Sequence, residues 1–216
     1  MGADSPELTG LTLAADPERW AAAGFAVSPD ESPAVVVGTV RMNLAGAGAG
    51  RGIVHWTLTG IARELGDLDG LPTEAAVIGT TAAAAPHPNG VTGLDHVVAF
   101  SPDLERTIAT LKGAGLGFRR LREGPTAAGA QRQAFFRVGR PLLEVIEHPP
   151  GVPAGAGPSA PSRFWGLALA VDDLDASAAS LGELLGQPRA AIQPGRRIAT
   201  FARTAGLGLP VALITV

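Results

Sequence analysis

The sequence predicts an α+β protein built from repeated units of one strand, one helix and further strands. The chain has 216 residues, of which 46% are hydrophobic and 17% are charged, a balance typical of a packed globular protein. An apolar strand that runs directly into a capped helix occurs three times, beginning near residues 8, 93 and 164. Segments rich in Pro, Ala and Gly separate the three occurrences. We therefore expect three similar units joined by linkers.

The first unit, residues 1–62, is predicted to run from a strand into a helix and then into further strands. Asp16 is a suitable helix N-cap, and Pro17 fits the first helical position because its ring fixes φ there. The strand predicted at 52–59 closes the unit and carries His55.

The second unit, residues 92–148, carries a histidine on an apolar strand. Alternation over residues 93–100 places His96 on a face with apolar neighbours. Ser101 is predicted to cap the helix that follows, with Pro102 at its first position. The neighbours that share the face with His96 are Leu94, Val98 and Phe100.

The last strand of the second unit carries a carboxylate between aliphatic side chains. Residues 131–138 are predicted as a strand, and residues 141–147 return beside it after a tight turn. Glu144 then shares a face with Leu142 and Ile146, where a carboxylate is costly unless it binds a cation or a strong donor. The unit therefore has a His on its first strand and a Glu on its last.

The third unit, residues 163–216, repeats the order of the second. Its apolar strand ends at Asp172 and Asp173, which resemble the start of a capping box, and two strands follow the helix. The segments between the units, 63–91 and 149–162, are predicted to be linkers.

Composition and charge exclude several classes of function. The net charge is −3 and the chain has no Cys and no Tyr, which argues against nucleic-acid binding, disulfides, thiolate zinc sites and cysteine nucleophiles. The acidic N-terminus lacks the basic start of a secretion signal, so a cytoplasmic protein is expected. The uncharged run at 75–94 is interrupted by Pro and Gly, so no membrane segment is expected.

The chain resembles the vicinal oxygen chelate superfamily, which includes glyoxalase I, extradiol dioxygenases and bleomycin-resistance proteins. The resemblance is best in the second unit, weaker in the third and weakest in the first. The motifs that carry it are LDHVV at 94–98, PDLER at 102–106, LLEV at 142–145, FWGL at 164–167 and VDDL at 171–174.

The resemblance implies both a fold and a kind of site. Repeated βαβββ modules would form a curved mixed sheet around a cup, with the helices on the outer face. The first and last strands of the modules would point ligands for a divalent metal, such as Zn, Mn, Fe or Ni, into the cup. The ion would bind neighbouring oxygens of a substrate as a Lewis acid. His96 and Glu144 match such ligands, and Glu144 would also carry a proton during catalysis.

The third unit is not expected to supply a ligand. Aligned on the second unit, it has Gly166 at the position of His96 and Leu213 at that of Glu144. A complete protein site for these metals generally uses three side chains, so a further ligand must come from elsewhere. The candidates are His55, His87 and Gln133.

Other interpretations of the same residues stay open. The alternative for His96 is a buried imidazole that binds a backbone carbonyl or Asp95. The alternative for Glu144 is a salt bridge with Arg132 or Arg137, which would close the cavity. His87 is better explained as a solvated turn residue, and His148 as the end of a strand.

The strand before Glu144 is predicted to bind the ligand. Gln133, Phe135 and Arg137 share a strand face, which combines an aromatic wall with polar donors. A surface of this kind suits a small organic molecule that carries oxygens.

The leading functional hypothesis is a metal-dependent small-molecule enzyme with lyase, isomerase or oxygenase chemistry. The alternative is a metal-free protein that binds or sequesters a small molecule, as the bleomycin-resistance relatives do. A third hypothesis is a regulatory or structural module whose cup is filled by side chains. The expected partner is a small-molecule ligand, without nucleic acid or membrane, and an odd number of units favours a homodimer.

Overall fold

The computed structural model describes residues 5–62, 66–76, 85–126, 129–148, 157 and 159–216. The first four residues and parts of both predicted linkers lie outside the described residues. The described strands form two mixed sheets, one of six strands and one of eight, with few helices between them in the chain. The predicted α+β class with βαβββ modules is therefore confirmed.

Strands and short helices alternate along the chain. The elements are β1 (Glu7–Ala14), α1 (Pro17–Ala22), β2 (Ala34–Val37), β3 (Val40–Leu44), β4 (Gly52–Thr59), β5 (Asp67–Leu68), β6 (Leu71–Ala75), β7 (Val91–Ser101), α2 (Leu104–Gly113), β8 (Gly117–Thr126), β9 (Gly129–Arg137), β10 (Leu142–Glu147), β11 (Arg163–Val171), α3 (Leu174–Leu181), β12 (Arg189–Ala190), β13 (Arg197–Thr200) and β14 (Val211–Thr215).

The chain divides into two compact units, which do not coincide with the three units predicted from the sequence. The terms first unit and second unit refer to these two compact units below. The first consists of Met1–Leu8, His55–Gly79 and His96–Trp165. The second consists of Thr9–Val54, Thr80–Asp95 and Gly166–Val216. The segment boundaries predicted from the sequence follow the chain rather than these units, and they stay a prediction.

The first unit contains the module predicted around His96. Its strands lie in the order β7, β10, β9, β8, in which β10 runs parallel to β7 and antiparallel to β9. One face of these strands carries fully buried side chains such as Val97, Leu143 and Phe136, and α2 contributes the buried Leu111. Because α2 packs on β8, β9 and β10, the helix covers this face of the sheet.

The cap of α2 differs from the sequence prediction. Asp103, not Ser101, is the N-cap, and its carboxylate accepts the Arg106 backbone N–H at 3.0 Å. Strand β7 extends as far as Ser101, which moves the start of the helix by two residues. The Ser101 hydroxyl instead accepts the Asp103 backbone N–H at 3.1 Å, so both residues help to shape this turn.

The first unit also contains a strand set that the sequence analysis missed. Strand β4, predicted to close the preceding unit, runs parallel to β6, with Trp56 opposite Thr73. The order β4, β6, β5 matches β7, β10, β9, so β4 opens a further set. Two short strands therefore lie in the segment predicted as a linker at 63–91. The division into three units stays a prediction, and so does the homodimer expected from it.

The β5–β6 turn is tied to α2 by a polar network around Asp69. The Asp69 carboxylate accepts hydrogen bonds from the Arg106 guanidinium at 2.6 Å, from the Ser162 hydroxyl at 2.9 Å and from the Thr107 hydroxyl. Asp69 has a φ of 56°, in the left-handed region, which Asp tolerates better than most residues. The neighbouring Gly70 has no room for a side chain, since a Cβ there would lie 2.3 Å from the Pro161 Cβ.

The second unit contains two further strand sets. One has the order β2, β3, β1 with α1 in its chain, and the other has the order β12, β13, β14, β11 with α3. Asp16 and Asp173 cap the two helices, as their positions in the sequence predict. Trp20 of α1 is fully buried, and its indole N–H donates to the Leu207 carbonyl at 3.2 Å. Among the described residues, no helix is long and apolar enough to span a membrane.

Candidate active site

One face of the β7–β10–β9–β8 sheet brings together five of the residues singled out in the sequence. Strand pairing places Leu142 opposite both His96 and Arg137, and Glu144 opposite both Val98 and Phe135. The next row holds Phe100, Ile146 and Gln133. Residues directly opposite or two apart on neighbouring strands point to the same side of a sheet. The residues that share this face, called the site face below, include His96, Glu144, Gln133, Phe135 and Arg137.

The centre of the site face is a contact between His96 and Glu144. The His96 Nε2 lies 3.3 Å from the Glu144 Oε2, and the two side chains are 15% and 13% exposed. Parallel pairing explains this contact, because Glu144 lies one side-chain repeat beyond the residue opposite His96. The imidazole is a polar partner for a carboxylate that would otherwise be costly between Leu142 and Ile146.

Neither Arg132 nor Arg137, the two alternative partners of Glu144, forms a salt bridge with it. Arg132 points to the other side of β9, where its guanidinium contacts the carboxylates of Glu105, Glu123 and Glu147. These hydrogen bonds, chiefly that with Glu105, raise the pKa of Arg132 above its ordinary value. In the described part of the chain, Arg137 forms no salt bridge.

The surroundings of the pair mix aromatic surface with polar groups. Phe135 and Gln133 are 6% and 7% exposed. The Arg120 guanidinium of β8 lies over the Phe135 ring, 4.9 Å from its centroid, in a cation–π contact. Arg137 is exposed. The face can therefore offer a flat apolar wall, a carboxylate, an imidazole and guanidinium donors to one small molecule.

His55, the predicted third ligand, has a carboxylate partner of its own. Its Nε2 lies 3.2 Å from the Glu74 Oε2, and the two side chains are 23% and 62% exposed. The described residues contain no group of three His, Asp or Glu side chains that could hold a metal ion. The structure thus brings His96 and Glu144 together. Among the described residues, His55 does not join them to form a three-ligand metal site.

The two His–Glu pairs occupy equivalent positions of two strand sets. Glu74 lies opposite Thr57 on the parallel strand β4, and Glu144 lies opposite Val98 on the parallel strand β7. In each set the histidine precedes that opposite residue by two positions, so the same spacing produces the same contact. Sequence reasoning missed Glu74 because its short strand stands in a segment that resembles a linker. The signal present was the turn Asp69-Gly70 followed by alternating LPTEA.

The last module carries no ligand at the corresponding positions, for a steric reason. Counting back from the helix caps Asp103 and Asp173, Gly166 corresponds to His96, as predicted. A Cβ at Gly166 would lie 2.5 Å from the Pro210 carbonyl oxygen, so no larger residue fits without movement of the backbone. The equivalent of Glu144 is Ala212 rather than the predicted Leu213. Leu213 is fully buried and lies opposite Leu169, so the prediction was wrong by one residue.

The His96–Glu144 contact fits two neighbouring ligands of one divalent ion. With metal–ligand bonds of about 2.1 Å, neighbouring ligand atoms lie about 3.4 Å apart in a tetrahedron and about 3.0 Å apart in an octahedron. The observed 3.3 Å lies between these values. Because a closed protein site generally uses three side chains, the remaining positions would be filled by oxygens from outside the described residues.

Of the other two histidines, His87 has different surroundings from those expected. His87 is buried in the second unit, not solvated: its Nδ1 accepts the Ala26 backbone N–H at 3.1 Å, and its Nε2 lies 3.1 Å from the Val36 carbonyl. Burial lowers the pKa of His87, and the hydrogen bond to Val36 opposes this shift. His148 follows β10, as expected for a strand end, and its Nδ1 is buried without a hydrogen-bond partner among the described residues.

Comparison with known proteins identifies the family of this module. Residues 93–195 match the family model described as Glyoxalase/Bleomycin resistance protein/Dioxygenase superfamily. This part of the chain is similar to that superfamily. The resemblance to vicinal oxygen chelate proteins is thereby confirmed. No curated protein sequence is similar enough to the chain to count as a match.

Two solved structures share the fold of nearly the whole chain. A mutant of 4-hydroxymandelate synthase from Streptomyces coelicolor is 16% identical, with a TM-score of 0.60 over 97% of this chain and 92% of its own. A xylose isomerase-like TIM barrel/4-hydroxyphenylpyruvate dioxygenase fusion protein is 12% identical, with a TM-score of 0.66 over 99% of this chain and 49% of its own. Methylmalonyl-CoA epimerase from Mycobacterium tuberculosis is 21% identical, with a TM-score of 0.46 over 58% of this chain and 89% of its own. At these identities the likeness concerns the fold.

Proposed function

We propose that His96 and Glu144 form the reactive centre of a divalent-metal-dependent small-molecule enzyme of the glyoxalase and dioxygenase type. The observation that carries the proposal is the 3.3 Å contact between the imidazole and the carboxylate on a partly exposed sheet face. The similarity of residues 93–195 to a superfamily that contains glyoxalases and dioxygenases adds support. The reaction would be a lyase, isomerase or oxygenase step on a substrate with neighbouring oxygens.

The donor set defines how the residues would act. His96 and Glu144 would hold the ion from one side, and two substrate oxygens would complete its shell. When bound, the ion would supply Lewis-acid polarisation of those oxygens. Glu144 would also accept or return a substrate proton, since a partly buried carboxylate beside an imidazole is suited to proton transfer. Phe135 and Gln133 would orient the substrate, the ring through stacking and the amide through hydrogen bonds.

Titration with Mn²⁺ followed by electron paramagnetic resonance tests the metal part of the proposal. We expect one bound Mn²⁺ per chain in the wild-type protein, with loss of that ion in His96→Ala and in Glu144→Gln. The matched control is His55→Ala, which removes a histidine from the other pair and should keep the ion. Retention of full Mn²⁺ binding by His96→Ala would contradict the proposal.

A metal-free binding protein is the second candidate function, and two observations favour it. The described residues offer no group of three metal-ligating side chains, and Gly166 has no space for a ligand in the last module. In that case the site face would bind a small molecule through Phe135, Gln133 and Arg137 without chemistry. Unchanged ligand affinity in the presence of a chelator, together with absence of Mn²⁺ binding, would favour this candidate.

The location and assembly of the protein remain predictions. A cytoplasmic location is proposed. A homodimer is proposed as well, and analytical ultracentrifugation measures it directly.

A further inference from the structure

Three arginines lie on the site face beside the His96–Glu144 pair. Arg137 is in the same row as His96, two strands away, which corresponds to about 10 Å between their backbones. Arg120 and Arg122 of β8 lie opposite Phe135 and Gln133.

Arg137 is exposed and has no side chain opposite it on β8. Its partner on β8 is Gly117, which has no side chain on the site face. A Cβ at Gly117 would lie 3.7 Å from the Arg137 Cβ, within ordinary contact distance. The missing side chain therefore opens space beside Arg137 on the β8 side of the sheet.

No carboxylate among the described residues forms a salt bridge with these arginines. Within the described ranges, Arg120, Arg122 and Arg137 form no salt bridge, whereas Arg132 on the opposite side of β9 contacts three carboxylates. Glu144 is the one acidic residue in the paired rows of the site face. A positive face on a chain with a net charge of −3 attracts anions specifically to this surface.

Exposure shows the order in which a ligand would meet these groups. Arg120 and Arg137 are exposed, while the His96 and Glu144 side chains are only 15% and 13% exposed. Phe135 lies between the two sets and is covered in part by the Arg120 guanidinium. An anion approaching the site face therefore meets the guanidinium groups first, and the largely buried Phe135 ring and His96–Glu144 pair only after them.

We infer that the substrate or ligand of this site is a small planar carboxylate, with Arg137 as the residue that binds its carboxylate group. The inference rests on the proposed function for its assignment of the site and adds the class of molecule. A guanidinium binds a carboxylate through two parallel N–H···O hydrogen bonds, which a planar acid can form while it stacks on an aromatic ring. The unsaturated part of the molecule lies against Phe135, and its oxygens reach towards Glu144 and His96.

Binding of 4-fluorobenzoate, followed by ¹⁹F NMR, tests the inference without any enzymatic assay. We expect the wild-type protein to bind this probe and Arg137→Met to weaken the affinity at least tenfold, equivalent to about 1.4 kcal/mol. Arg137→Lys should weaken it by a smaller factor, because Lys keeps the charge but lacks the planar fork. The charge-matched control is Arg140→Met, which removes an exposed arginine from the neighbouring turn and should leave the affinity unchanged.

Further probes separate the possible anions and the two proposals. Equal binding of neutral 4-fluorobenzyl alcohol, or equal affinity in Arg137→Met and wild type, would overturn the inference. Tighter binding of 4-fluorophenyl phosphate than of 4-fluorobenzoate would overturn the choice of a carboxylate. Arg137→Met should still bind Mn²⁺. If the wild-type protein binds no Mn²⁺ and Arg137→Met still loses 4-fluorobenzoate, the metal proposal fails and the carboxylate inference stands.

Discussion

Removal of the charge of Asp69 should destabilise the protein and lower its melting temperature by several degrees. The Asp69 side chain is 9% exposed and its carboxylate lies 2.6 Å from the Arg106 guanidinium, with hydroxyl donors from Thr107 and Ser162. Loss of one partner of a buried ion pair costs about 3–5 kcal/mol. Arg106 is 31% exposed and also donates to the Ala160 carbonyl at 2.6 Å, which reduces our expectation to about 2–3 kcal/mol.

The substitution Asp69→Asn tests this estimate, since Asn also tolerates the positive φ at this position. For a chain of this length, each kcal/mol corresponds to about 2–4 °C, so the melting temperature should fall by about 4–12 °C. Thermal unfolding followed by circular dichroism measures the change. The control is Asp175→Asn, because Asp175 pairs with Arg197 at an exposed position, where ion pairs contribute little. A melting temperature within 2 °C of wild type for Asp69→Asn, by the same conversion about 1 kcal/mol or less, would refute the reasoning.

Two further predictions concern the second unit. Burial lowers the pKa of His87 below its ordinary value of 6.5. The stability that the neutral imidazole contributes is therefore present above pH 6.5 and is lost as the pH falls below 6.5. Urea unfolding should show this loss of stability in the wild-type protein and a smaller loss in His87→Gln. Gly166→Ala should lower the melting temperature because its Cβ would lie 2.5 Å from the Pro210 carbonyl oxygen, whereas Gly124→Ala, with nothing within 4 Å, should not. Equal melting temperatures for these two alanine variants would contradict the steric account.

Local patterns in the sequence were sufficient to predict the site face. Alternation around His96 and around Glu144 gave the side to which each points, and parallel pairing of β7 with β10 then brings the two into contact. The same alternation predicted the shared face of Gln133, Phe135 and Arg137, because side-chain direction in a strand depends on nothing beyond the strand itself.

Features that depend on tertiary packing were not predictable in the same way. Strands β5 and β6 have two and five residues, which are too few to show the alternation of apolar and polar residues typical of a strand. Glu74 was therefore not predicted as a site residue. The burial of His87 depends on backbone groups of Ala26 and Val36, which are remote in sequence. The shift from Leu213 to Ala212 arose because the alignment of the two units did not fix the strand register, and a shift of one residue exchanges the two faces of a strand.

Anomalous diffraction from crystals of the protein soaked in Mn²⁺ tests the central claim most directly. The account predicts a single strong peak within bonding distance, about 2.0–2.2 Å, of both the His96 Nε2 and the Glu144 carboxylate. A peak that lies instead between His55 and Glu74, or the absence of any peak at His96 and Glu144, would contradict the claim that this pair is the reactive centre.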